Sequence, residues 1–111
     1  MLEKIELVYP EGVTIMLYEG VWSLATASMD FVSDKGYWWI NRIFIKEQRR
    51  RKGHGSSLVA DLQKNANGYP IVVVPGGYSM KVEDQRAFYE SCGFVEASGE
   101  DEGMWKWYPA E

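Results

Sequence analysis

Apolar and polar positions alternate along the first forty-five residues with the period of strands, broken by short turn signals. The pattern predicts strands at Ile5–Tyr9, Val13–Tyr18 and about Val21–Phe31, with Pro10-Glu11-Gly12, Glu19-Gly20 and Ser33-Asp34-Lys35-Gly36 as the breaks after them. A fourth stretch, Tyr37–Ile45, is apolar on both faces except at Asn41 and Arg42, as a central strand covered on two sides would be.

After Gly53-His54-Gly55 the period lengthens. Leu58, Val59, Leu62 and Ala66 fall on one helical face, Asp61, Gln63 and Lys64 point away from it, and Asn67-Gly68 ends the helix. Ile71–Val74 is a short apolar strand stopped by Pro75-Gly76-Gly77. A second helix is predicted from Glu83 to Cys92 with Gly93 behind it, and Phe94–Ala97 and Met104–Tyr108 form a closing pair of strands. The fold class is therefore α/β in the α+β sense: a mixed, mostly antiparallel sheet with two main helices. Its fourth and fifth strands run parallel through a right-handed helical crossover.

At 111 residues the chain is expected to form one domain, residues 1–111, around one core. Hydrophobic residues at 46% and charged residues at 25% are ordinary for a globular protein, and no apolar run reaches membrane-helix length. With no charged-then-apolar leader, the expected location is cytoplasmic. The single cysteine, Cys92, rules out an internal disulfide, and one His with one Cys makes no metal-ligand set.

Net charge is −4, yet Arg49, Arg50, Arg51 and Lys52 are consecutive, with Lys46 just upstream. A nucleic-acid binder would carry a broad basic face; one basic knot on an acidic body points to a local anion site. The knot lies between a β-branched strand and an amphipathic helix. At such a helix start the first N–H groups lack intrahelical acceptors and the macrodipole is positive. Glycines let the backbone approach a phosphate, and arginines add forked donors. A nucleotide P-loop is excluded, because no Lys precedes the hydroxyl residue in Gly55-Ser56.

Arg50-Arg51-Lys52-Gly53-His54-Gly55 resembles the R-x-x-G-x-G/A signature of the GNAT superfamily of acyl-CoA N-acyltransferases. Ala87-Phe88-Tyr89-Glu90-Ser91-Cys92-Gly93-Phe94 is similar to that family's late helix, and the two motifs stand in the family's order over roughly residues 37–108. The resemblance implies an acetyl-CoA-dependent N-acetyltransferase (acyltransferase) acting by direct amine attack on the thioester, with no metal. It implies that the backbone at Phe44 and Ile45 contacts pantetheine and the acyl group. It further implies that Arg50, Arg51, Lys52, Gly53, His54, Gly55 and Ser56 hold the diphosphate, and that Tyr89 protonates the departing thiolate. A module that keeps the fold and binds acyl-CoA or a protein without catalysis is the alternative.

Three departures from the family pattern matter. Arg51 stands where the family often has Gly, and Val82 stands where an Asn commonly opens the late helix, so that Asp84 or Gln85 would take over its hydrogen bonding. Tyr9-Pro10-Glu11-Gly12-Val13 leaves only a turn where two helices usually wall the acceptor pocket. The acceptor site is then reduced and open, which suits a protein lysine or another bulky amine such as a polyamine, or a wall lent by a second subunit in a homodimer. No pattern singles out a general base among Asp30, Asn41, Glu47, Glu83 and Asp84. His54 and Cys92 are read as structural, and Trp105 and Trp107 either line the acceptor opening or pack in the core.

Overall fold

A computed structural model describes residues 2–46, 53–76, 81–99 and 103–110. Leu2–Tyr9 (β1) and Gly12–Glu19 (β2) form a hairpin closed by Pro10-Glu11, and Trp22–Val32 (β3) and Tyr37–Ile45 (β4) extend it as an antiparallel meander. His54–Lys64 (α1) then carries the chain to Ile71–Val73 (β5), which lies parallel to β4. Val82–Ser91 (α2), Val95–Glu96 (β6) and Trp105–Trp107 (β7) complete a seven-stranded sheet of order β1-β2-β3-β4-β5-β7-β6. The predicted strand and helix order is the observed one.

Boundaries moved where the partner strand, and not local composition, decides. β1 begins at Leu2, before the predicted Ile5, because Leu2, Glu3 and Lys4 pair with Glu19, Tyr18 and Leu17. β5 stops at Val73, since β7 accompanies it only that far and Val74 is exposed.

Strand alternation sorts the side chains cleanly. Val13, Ile15 and Leu17 of β2 and Ala25, Ala27 and Met29 of β3 are buried beneath Leu58, Val59 and Leu62 of α1. The two alanines allow the helix to lie close to the sheet. Both helices share this face: Gln63 of α1 donates through Nε2 to the Cys92 carbonyl behind α2 at 2.8 Å. Trp38 anchors β4 beneath them, its indole N–H donating to the Ala66 carbonyl at 2.9 Å and its ring edge-on to Phe31. The opposite face carries Thr14, Met16, Tyr18, Thr26, Ser28, Asp30, Trp39, Arg42 and Phe44. Among the described residues no helix covers it, as the short Tyr9–Val13 connection foretold.

One helical position departs from expectation. Asp61, read as pointing to solvent, is only 8% exposed. Its carboxylate meets the Lys4 ammonium of β1 at 2.7 Å, and Lys4 also donates to Ser57 Oγ at 2.8 Å. The edge strand reaches over α1, so a position polar by helical phase is roofed by a strand more than fifty residues away in sequence.

Candidate functional site

β4 and β5 run together for only two residue pairs, Trp38↔Ile71 and Trp39↔Val72. β4 continues to Ile45 while β5 ends at Val73, so the strands part and, among the described residues, leave a gap. A bulge marks the divergence: the β3–β4 register slips between Ser28 and Met29, leaving Asn41 as the extra residue on β4. Such a bulge bends its strand and sharpens the local twist. Asn41 is steadied by donating to the Asp30 carboxylate on the bare face.

Ladder phase tells which main-chain groups line the gap. Trp38 N–H donates to the Pro70 carbonyl on the β5 side, whereas Lys46 N–H donates to Leu24 on the β3 side. Alternation between these anchors, allowing for the bulge, aims Ile43 and Ile45 at the gap and Arg42 and Phe44 at β3. Of the two strand residues expected at the cofactor, Ile45 is thus in phase with the gap. Phe44 is out of phase by one: its backbone serves the sheet and its ring lies exposed on the bare face. Ile43, in phase with the gap, was missed because the bulge that sets the phase leaves no mark in composition.

The gap leads to the start of α1. Gly53 takes up φ +80°, a left-handed conformation that favours glycine, and among the described residues no side chain caps the helix. The first intrahelical bond is Ser57 N–H to the Gly53 carbonyl at 3.0 Å, so the N–H groups of His54, Gly55 and Ser56 precede the ladder. His54 is half-buried and Ser56 exposed. Arg50, Arg51 and Lys52, expected to complete the anion loop, lie outside the described residues, as do Arg49 and Glu47.

Gly55 serves packing. A Cβ there would lie 3.0 and 3.1 Å from the Phe88 ring and 3.3 Å from Ile45 Cδ1. The start of α1, the end of β4 and the last turn of α2 therefore meet at this residue. Lys46 is occupied elsewhere, its ammonium 5.2 Å from the centre of the Trp22 ring.

Tyr89 is the buried residue of α2, at 6% exposure, with its ring edge-on to Phe88 and Phe94 at 5.2 and 5.5 Å. It belongs to the core and adjoins the α1–α2 contact through Phe88. Gln85, a candidate for the missing Asn's function, accepts the Gly76 N–H at 2.9 Å through Oε1, tying the segment after β5 to α2. Trp105 is buried in the core and Trp107 packs against it, resolving that pair toward packing.

Cys92 packs against the core, and burial pushes its thiol pKa up, partly offset by hydrogen bonds from Ser91 and Ser56. The raised value keeps the thiol protonated at neutral pH; its contribution to stability is full below the ordinary thiol pKa and is lost as pH rises through the folded one. Thiol labelling at pH 7 is expected to run several-fold slower in native than in denatured protein; equal rates would contradict the half-buried placement.

Residues 11–96 match the family model of the acetyltransferase (GNAT) domain. The chain belongs to the GNAT acetyltransferase family. None of the curated proteins matches it. Among solved structures it is similar to a Bacillus anthracis protein assigned as a streptothricin acetyltransferase, in complex with acetyl coenzyme A. Identity is 21% and the TM-score 0.75, covering 96% of this chain and 70% of that one. It is also similar to the ribosomal-protein-S18-alanine N-acetyltransferase of Escherichia coli (18%, TM-score 0.70, 94% and 73%). A third is the PaiA N-acetyltransferase of Thermoplasma acidophilum in complex with coenzyme A (11%, TM-score 0.72, 88% and 61%). At these identities the likeness is one of fold. This GNAT chain is the shorter partner in each pairing. Among its described residues no group of three or more His, Cys, Asp or Glu is placed to hold a metal, and no helix is long and apolar enough to cross a membrane.

Proposed function

We propose that this GNAT protein is an N-acetyltransferase that takes its acetyl group from acetyl-CoA and passes it to a primary amine on a bulky acceptor, such as a protein lysine. The observation that carries the reading is the gap between β4 and β5 opening onto a helix start whose first three N–H groups precede its ladder. A long thin ligand with an anionic end would fit there, its arm flanked by the main-chain groups of Ile43. The N–H groups of His54, Gly55 and Ser56, with Arg50, Arg51 and Lys52 adjacent in sequence, receive its diphosphate.

The bound thioester supplies the activated acetyl carbon. The main-chain N–H of Ile43 on the β4 edge stabilises the negative charge that builds on the carbonyl oxygen as the amine attacks. A C–N bond forms and the C–S bond breaks; the Tyr89 hydroxyl gives its proton to the leaving sulfur, the amine nitrogen passes its proton to solvent water, and water returns one to the Tyr89 phenolate. Asp30, held by Asn41 on the bare face, places a carboxylate where a cationic acceptor would approach.

Incubating the protein with acetyl-CoA and a panel of proteins, peptides and small amines should release free CoA thiol, with protein acceptors turned over best. Folded protein that binds CoA by calorimetry yet acetylates nothing would overturn the reading in favour of a binding module.

A further inference from the structure

β1 is the outermost strand, and among the described residues nothing pairs with its free edge. All eight of its residues are exposed, yet Leu2, Ile5, Leu7, Val8 and Tyr9 are apolar. An edge of this length and composition is a ready template for another strand unless it is blocked.

The outward-facing groups follow from ladder phase. Phe31 N–H donates to the Glu11 carbonyl at 2.9 Å, which aims Glu11 at β3. Alternation then aims Gly12, Thr14, Met16 and Tyr18 at β1, where they meet Tyr9, Leu7, Ile5 and Glu3. The other residues of β1, Leu2, Lys4, Glu6 and Val8, direct their N–H and C=O groups outward.

We infer that β1 pairs antiparallel with β1 of a second copy of this chain, joining two sheets about a two-fold axis through Ile5. Hydrogen-bonded pairs in such a ladder must join two outward-facing residues, which admits three central registers. One sets Lys4 against Lys4 and another Glu6 against Glu6, each with like charges opposed. The third sets Lys4 opposite Glu6 twice, Leu2 opposite Val8 twice, and Ile5 against itself. Charge and phase together select it, and the complementarity of the strand with its own reverse is what names a second copy as the occupant. A lysine in mid-edge commonly blocks such pairing, but the Lys4 ammonium is held on Asp61 and Ser57 of α1.

Sedimentation of the intact protein should show a concentration-dependent dimer. Glu6→Lys should raise its dissociation constant at least about tenfold, by opposing Lys4 twice. Glu6→Pro, which removes an outward N–H and no bond to β2, should leave a folded monomer. The register has its own test in a Cys92→Ser background. Ile5→Cys should form an intermolecular disulfide readily, its Cα atoms about 4.5 Å apart across the axis. Leu7→Cys, about 13 Å from its symmetry mate by strand rise, should not. A wild-type monomer throughout, a dimer that survives both Glu6 substitutions, or Leu7→Cys crosslinking as fast as Ile5→Cys would overturn the inference. None of these outcomes depends on acetyl transfer.

Discussion

Tyr89→Phe is expected to lower kcat by about 100-fold or more while leaving CoA affinity within about twofold, the signature of losing a general acid. Phenylalanine is the informative substitution because the ring is a core member: it is 6% exposed and braced by Phe88 and Phe94. Truncation to alanine would remove that packing, costing about 3–5 kcal/mol, and would confuse an unfolded enzyme with an inactive one. The paired measurements are steady-state turnover and calorimetric CoA binding on protein whose melting temperature matches wild type. Turnover at the wild-type rate would refute the proton-donor role and leave Tyr89 as packing alone.

Gly55→Val is expected to destabilise the protein by about 2–3 kcal/mol, lowering Tm by about 10 °C. The cause lies within the fold, since even a single methyl group there would press on the Phe88 ring at 3.0 Å and on Ile45 at 3.3 Å. Phe88→Leu in the same chain should recover at least about 1 kcal/mol of the loss, a coupling that a double-mutant cycle by thermal melting would read. Were Gly55 present solely to admit a phosphate, the valine variant would melt normally and lose only CoA affinity. Gly53 makes the contrast: among the described residues nothing lies within 4 Å of a Cβ there, and its requirement is the backbone conformation at φ +80°.

Much of the architecture was legible because burial follows period. Val13, Ile15 and Leu17 alternate inward as a half-covered strand must, and Leu58, Val59 and Leu62 repeat as a helix face must. The uncovered sheet face was legible too, as a consequence of the short turn between Tyr9 and Val13. What escaped detection depends on distant partners. Asp61 is buried because Lys4 reaches it, and no helical pattern contains that fact. The bulge at Asn41 decides that Ile43 and not Phe44 faces the gap, and a bulge is a property of two strands in register. Gly55 sits within a phosphate-loop signature yet its closest neighbour is an aromatic ring thirty-three positions on, so its two roles are inseparable in sequence alone.

The bare sheet face changes where selectivity would reside. With a single wall, a small diffusing amine would bury little of its surface, so its KM should be high and its discrimination poor. An acceptor broad enough to lie across Met16, Tyr18, Trp39 and Phe44 would roof the cleft itself, excluding water only while docked. Enclosure would then be a property of the pair of molecules, and the choice of target would be made by the shape of the acceptor's surface around the reactive nitrogen.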